Sequence, residues 1–94
     1  MKFLVRIDTD AIDFINAQTA KSRRIIANHL SSLGEDPYPG SKGDKELLNL
    51  RPGVNIYRLH IGRTFTAFYE IEDGIVYVNE VLTIGQAHKK YKGL

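Results

Sequence analysis

Three consecutive segments between residues 54 and 84 alternate apolar and polar side chains, and no other feature constrains the fold as strongly. A period of two is typical of β-strands that bury one face. Gly62-Arg63 separates the first two segments, and Asp73-Gly74, a dipeptide typical of type I′ turns, separates the last two. Because short turns join antiparallel neighbours, we expect an antiparallel meander with strands at 54–61, 64–71 and 75–84.

The alternation also predicts which side chains of the meander face the core. On the first two strands these are Tyr57, Leu59, Ile61, Phe65, Ala67, Tyr69 and Ile71. On the last strand the more apolar face carries Val76, Val78, Leu82 and Ile84. The opposite face of the first strand carries Arg58 and His60.

The first half of the chain predicts one strand followed by two helices. Residues 2–8 alternate in the manner of a half-buried strand, and Asp8, Thr9 or Asp10 can cap a first helix. A second helix begins near residues 19–22, and Gly34 and Pro37 end it. The apolar stripes predict that both helices pack on the sheet through Ile12, Ile15, Ile26, Leu30 and Leu33.

The segment between the helices and the meander gives a weaker pattern. Leu47, Leu48 and Leu50 are expected to anchor residues 41–53 to the core, and Pro52-Gly53 closes the segment. The element order is therefore βααβββ. We expect an α+β fold in which a helical hairpin packs on one face of a mostly antiparallel sheet, and the other face stays open.

Length and composition limit the function classes. A chain of 94 residues, 43% hydrophobic and 26% charged, predicts one globular domain spanning residues 1–94. The absence of cysteine excludes disulfides and thiolate chemistry. The sequence has no apolar run of about 18 residues and no signal-like start, which predicts a cytoplasmic protein without a membrane partner.

Metal and nucleotide motifs are missing as well. His29, His60 and His88 fall on a predicted helix, a strand and the C-terminal tail, without the spacing of metal ligands. The phosphate-binding loop, the dinucleotide fingerprint and the serine-hydrolase elbow do not occur. We therefore expect neither a metal nor a cofactor.

Two basic features remain as candidates for function. Arg58 and His60 stand about 7 Å apart on one strand face, where they can hold a phosphate while the imidazole moves a proton near neutral pH. The tail combines cations with an aromatic ring, a mixture that suits RNA: His88, Lys89, Lys90, Tyr91 and Lys92. The alternative for both features is a charged, solubilising surface.

Several short motifs, in order along nearly the whole chain, resemble the RelE/ParE superfamily of toxins. They are the turn Glu35–Gly40 (EDPYPG), the strand Tyr57–Gly62 (YRLHIG) and the strand Phe68–Ile71 (FYEI), with support from Arg6–Asp8 and Arg23–Ile26.

This resemblance implies the toxin of a toxin–antitoxin pair, with an antitoxin protein, the ribosome and mRNA as partners. RelE-type members cut mRNA in the ribosomal A site without a metal, and leave a 2′,3′-cyclic phosphate. Arg58 and His60 match the basic positions of the family's first motif strand, and Tyr91 matches its C-terminal tyrosine. These three are the expected catalytic residues, and Arg63, His88, Lys89, Lys90 and Lys92 are the expected RNA-binding residues.

The chain departs from the family pattern at two arginine positions. Thr66 stands at one and Ala87 at the other. Arg63 is a candidate replacement for the first, and His88 or Lys89 for the second. Three functions stay open at this point: a ribosome-dependent mRNA endonuclease, a gyrase-directed toxin of the ParE type, and a degenerate relative that binds an antitoxin.

Overall fold

Five strands form one mixed sheet in the order β1-β5-β4-β3-β2. The computed structural model describes residues 2–92, except for the side chains of residues 49–51. Strand β1 runs parallel to β5, and the other neighbours are antiparallel. The strands are β1 Leu4–Ile7, β2 Lys45–Arg51, β3 Val54–Ile61, β4 Phe65–Glu72 and β5 Ile75–Thr83; the helices are α1 Thr9–Asn16, α2 Ala20–Ser32 and α3 Ile84–Lys90.

The α+β class, the helical hairpin and the mostly antiparallel sheet are confirmed. Local chemistry explains where the elements begin. The side chain of Asp8 accepts a hydrogen bond from the backbone N–H of Asp10, and Thr19 accepts one from Ser22. Asp73 and Gly74 both have positive φ, as a type I′ turn requires.

Two elements differ from the prediction. Residues 45–51 form the edge strand β2, which pairs antiparallel with β3. The expected tail folds as α3, and Thr83 and Gln86 form a capping box at its start. Ala87 of this helix packs with Leu48 and Phe68 against the far face of the sheet, defined as the face opposite α1 and α2. That face is therefore partly covered, and the prediction that it stays open is wrong.

The main core lies between the sheet and the helical hairpin. Ile26, Leu30 and Leu33 of the α2 segment are buried, as predicted. In α1, however, Ala11 is buried, Ile15 is partly buried, and Ile12 is 40% exposed. The prediction for Ile12 is therefore wrong by one position on a helix of only 8 residues.

A β-bulge changes the side-chain pattern of β5. Phe68 pairs with Glu80 but Tyr69 pairs with Val78, so one extra residue lies on β5 between these pairs. The extra residue reverses the alternation, so Val81 enters the main core and Leu82 packs on the far face. The prediction that Leu82 shares a face with Val78 is wrong for this reason.

The leucines of β2 divide between the two sides of the sheet. Leu48 is buried on the far face, whereas Leu47 is 40% exposed, contrary to its expected role as an anchor. Leu50 lies outside the described side chains.

Candidate active site

One row of side chains crosses the far face from β2 to β5. In the strand register, Glu46 pairs with Arg58, Arg58 with Phe68, and Phe68 with Glu80. Directly paired residues on adjacent strands have Cβ atoms about 5 Å apart. The sheet thus places a carboxylate at each end of the row, with a cation and an aromatic ring between them.

Glu46 contacts both basic residues of β3. Its Oε1 forms an ion pair with Nη2 of Arg58 and lies 3.4 Å from Nε2 of His60. The Arg58 side chain is only 15% exposed, and its Nε is buried without a hydrogen-bond acceptor among the described residues. Arg58 is thus held in place with donor capacity left over.

Helix α3 closes a small cavity above these residues. The cavity has a volume of about 50 Å³, and it is lined by Arg58, His60, Thr66, Ile84, Ala87 and His88. The capping box and the buried Ala87 fix the helix that carries His88. Two imidazoles and one guanidinium therefore line a single cavity. Such groups can bind an anion and transfer protons near neutral pH.

The structure brings only some of the predicted site residues together. Arg58, His60 and His88 share the cavity. Arg63 is exposed in the β3–β4 turn and does not line the cavity. Lys89 and Lys92 are exposed around α3.

Tyr91 lies on the same face but contacts a different acid. Its hydroxyl donates a 2.6 Å hydrogen bond to Glu80 Oε1, and its ring centroid lies 5.1 Å from that of Phe68. Burial, followed by the bond to Glu80, raises the pKa of Tyr91 above its usual value. Since a raised pKa disfavours tyrosinate, this arrangement opposes a role for Tyr91 as a base.

Lys90 shares the carboxylate of Glu80. Its Nζ forms an ion pair with Oε2, and the hydrogen bond to Glu80 is the main cause that raises the pKa of Lys90. Lys90 and Tyr91 together fasten the end of α3 to β5.

The two positions where the resemblance expects arginine are both buried. Thr66 is 2% exposed, and its hydroxyl donates to the backbone oxygen of Leu59 at 3.2 Å. Ala87, a residue of α3, is fully buried. Both side chains also line the cavity that contains Arg58 and His60. Of the candidate replacements, His88 lines the cavity, whereas Arg63 and Lys89 do not.

Sequence reasoning missed both acids of the row, Glu46 and Glu80. The pairing of Glu46 with Arg58 depends on the register of β2, which no local pattern fixes. Helix α3 did leave a signal, because Thr83 and Gln86 have capping-box spacing and the apolar positions Ile84, Ala87 and Tyr91 follow at helical intervals.

Within residues 2–92, apart from the side chains of residues 49–51, no group of three or more His, Cys, Asp or Glu side chains is placed to hold a metal ion. None of the helices described has both the length and the apolar character that a membrane crossing requires.

Comparison with solved structures gives the fold. The RelE–RelB complex of the archaeon Pyrococcus horikoshii matches with a TM-score of 0.75 and 19% identity, covering 93% of this chain and 100% of that chain. A RelBE toxin–antitoxin complex of Mycobacterium tuberculosis matches with a TM-score of 0.72 and 17% identity, covering 88% and 99%.

A mutant of the Escherichia coli toxin RelE in its free state matches with a TM-score of 0.58 and 17% identity, covering 97% and 92%. No family model matches the sequence, and no curated protein is significantly similar to it. The chain has the fold of RelE toxins.

Proposed function

We propose that the protein is the toxin of a toxin–antitoxin pair and that it cleaves mRNA on the ribosome, in the cytoplasm. The observation that carries this proposal is the cavity in which Arg58, His60 and His88 meet, on the far face of a RelE-like fold. These residues can bind a phosphodiester and transfer protons without a metal.

The proposed reaction is attack by the 2′-oxygen of a ribose on the adjacent phosphorus. The 2′-hydroxyl loses its proton, the new O–P bond forms, and the bond from phosphorus to the 5′-oxygen breaks. The 5′-oxygen takes up a proton, which leaves a 2′,3′-cyclic phosphate and a 5′-hydroxyl. Arg58 stabilises the extra negative charge on the phosphoryl oxygens. His60 on β3 carries out one of the two proton transfers, and His88 on α3 carries out the other.

Tyr91 is the remaining candidate for one of these proton transfers. In this structure the Tyr91 hydroxyl donates a hydrogen bond to Glu80, and the pKa of Tyr91 is raised. Tyr91 would have to leave Glu80 before it could accept a proton from RNA. The geometry favours a structural role, in which Tyr91 anchors α3 and thereby places His88 over the cavity.

Exposed cations around the cavity would hold the rest of the RNA chain. Lys89, Lys92 and Arg63 are exposed and can contact phosphates, whereas Lys90 is engaged by Glu80. Contacts of this kind are independent of base sequence and weaken as salt is added.

An antitoxin is the proposed protein partner. Two of the structural matches are complexes with RelB antitoxins. In this chain an apolar groove of about 320 Å³ lies between α1, α2 and β1, and its lining includes Ile12, Ile15 and Leu30. Ile12 is 40% exposed there, an apolar surface that a partner segment can cover.

Cleavage of mRNA on programmed ribosomes, mapped by primer extension, tests the proposed reaction. Arg58→Ala should lower the cleavage rate about 10²-fold or more, as loss of one preorganised oxyanion donor does. His88→Ala should lower it comparably. Arg24→Ala, at an exposed arginine of α2, provides the matched control and should leave the rate unchanged.

Tyr91→Phe distinguishes the two roles of Tyr91, proton transfer and the anchoring of α3. A rate that falls as far as in Arg58→Ala would assign proton transfer to Tyr91. A rate that stays within about tenfold of wild type would assign anchoring, because the phenyl ring can still pack on Phe68. If cleavage is unaffected by Arg58→Ala, the assignment of the site is wrong.

The second candidate is a protein without nuclease activity, either a gyrase-directed toxin or a module that only binds an antitoxin. The observation in its favour is that Thr66 and Ala87 are buried where the resemblance expects arginines. Growth arrest with intact mRNA and altered DNA supercoiling would indicate the gyrase-directed toxin. Antitoxin binding without growth arrest would indicate the binding module.

A further inference from the structure

The carboxylate of Glu46 occupies the position where a phosphate would meet Arg58. Its Oε1 is buried between Nη2 of Arg58 and Nε2 of His60, although the side chain as a whole is 43% exposed. The strand register pairs Glu46 directly with Arg58, so the backbone places the Glu46 side chain beside the guanidinium. The site thus already holds one anion.

The charges of Arg58 and Glu46 favour the binding of one anion at a time. Arg58 contributes one positive charge and Glu46 cancels it, so the pair is neutral before any substrate arrives. A phosphodiester brings one negative charge, and a guanidinium pairs best with a single planar or tetrahedral anion through two parallel hydrogen bonds. With Glu46 still in contact, the incoming phosphate would meet a like charge across a partly buried site.

We propose that Glu46 is an exchangeable counter-anion, a positioning residue that holds Arg58 and His60 before a strand binds and that the phosphodiester of the bound strand displaces. The inference rests on the proposed function, because it takes the phosphate site at Arg58 as given. The exposed part of Glu46 lets its carboxylate swing into solvent, whereas Arg58, with 15% exposure, stays in place.

The exchange selects for a chain over a single phosphate. The need to displace Glu46 lowers the affinity of the site for every anion. A strand that other cations already hold, however, presents its next phosphate at a high effective concentration. Lys89 on α3 and Lys92 just after it are exposed cations. A free phosphate lacks these additional contacts and competes poorly with Glu46. The substrate class that follows is a polyanionic single strand rather than a mononucleotide.

The test is the affinity for a fluorescent pentadeoxynucleotide, which has the phosphodiesters but lacks the attacking 2′-hydroxyl and cannot be cleaved. Glu46→Gln removes the charge, and Glu46→Asp keeps the charge but withdraws the carboxylate by one methylene. Glu72→Gln is the matched control, because Glu72 is exposed at the far end of β4 and makes the same change in net charge.

Both Glu46 variants should bind the probe about fivefold more tightly than wild type, the usual scale of a partly exposed ion pair. The Glu72 control should stay within about twofold.

The outcomes separate this inference from the proposed function. Unchanged or weaker binding by the Glu46 variants, together with weaker binding by Arg58→Ala, would overturn the exchange and leave the phosphate site standing. An equal gain in Glu72→Gln would also overturn it, because the effect would then be one of net charge. If Arg58→Ala leaves affinity unchanged in both wild-type and Glu46→Gln backgrounds, the phosphate site and the exchange both fail. Should Glu46→Gln fold poorly by thermal unfolding, Glu46→Asp, which keeps the charge, decides.

Discussion

Tyr69→Phe removes one buried hydroxyl and leaves the aromatic ring in place. The Tyr69 hydroxyl donates a 2.7 Å hydrogen bond to the backbone oxygen of Pro37, which lies 32 residues earlier in the chain. Both residues are fully buried, and the Tyr69 ring stacks on Tyr57 at 5.4 Å. The bond therefore fastens the loop that follows α2 to the centre of the sheet, and the substitution tests that link alone.

The expected loss follows from the carbonyl that is left behind. Without the hydroxyl, the buried oxygen of Pro37 has no donor, and an unsatisfied buried group costs about 1–3 kcal/mol. For a domain of this size each kcal/mol lowers Tm by about 4–8 °C. We expect urea unfolding at neutral pH to show this loss, with an unchanged m-value.

The same pair predicts a pH dependence. Burial, with a smaller contribution from the nearby Asp44 carboxylate, raises the pKa of Tyr69 well above its usual range. Below about pH 10 the tyrosine is protonated in both states, so its full contribution to stability is present. Above about pH 10 the unfolded chain loses the proton and the folded chain keeps it. Wild-type stability should then fall by about 1.4 kcal/mol per pH unit, until the raised pKa of the folded state is reached.

Phenylalanine has no proton to lose, so the advantage of wild type over Tyr69→Phe should shrink above about pH 10. Tyr38→Phe is the matched control, because Tyr38 is 45% exposed and its hydroxyl has no hydrogen bond among the described residues. This control should change stability by less than about 0.5 kcal/mol. A loss of stability below about 0.5 kcal/mol for Tyr69→Phe, or a difference from wild type that stays constant at alkaline pH, would show that the bond to Pro37 contributes little to stability.

Three further predictions concern the two sides of the sheet. Leu30→Ala should lower the free energy of unfolding by about 2–5 kcal/mol, whereas Ile25→Ala, on the exposed side of the same helix, should cost less than about 1 kcal/mol; chemical denaturation measures both. Glu80→Gln removes the charged acceptor of Tyr91, so the backbone amides of α3 should exchange faster with deuterium while those of β3 keep wild-type protection. Ala87→Arg should destabilise by about 1–3 kcal/mol and should not raise mRNA cleavage, because Ala87 is fully buried; a gain of activity in a fully stable variant would show that α3 moves aside.

The sequence predicts best where local chemistry sets the geometry. Turn residues fix the β3–β4–β5 meander, and the period of two correctly puts Leu59 on the core face and Arg58 on the other. The pattern fails where one residue shifts the phase. The bulge in β5 exchanges Leu82 for Val81, and in the short helix α1 the core takes Ala11 instead of Ile12.

For the candidate site as well, the sequence predicts the local arrangement but not the long-range contacts. Arg58 and His60 lie together because they are two residues apart on one strand, which sequence alone shows. Glu46 joins them only through the register of β2 against β3, a long-range pairing that no local pattern encodes. His88 joins them because the tail is a helix, and the capping box was the local signal for that helix.

The net charge of the chain is only +2, and two acids of the far face, Glu46 and Glu80, pair with cations there. A protein can bind a polyanion through a surplus of free cations, or through cations that exchange one acidic partner for another. On this face Glu46 engages Arg58, and Glu80 engages Lys90 and Tyr91. Cations that are already paired stay ordered, and they attract stray anions weakly. Under the proposed exchange, a ligand with several phosphates offsets the loss of the internal ion pair more readily than a single phosphate does.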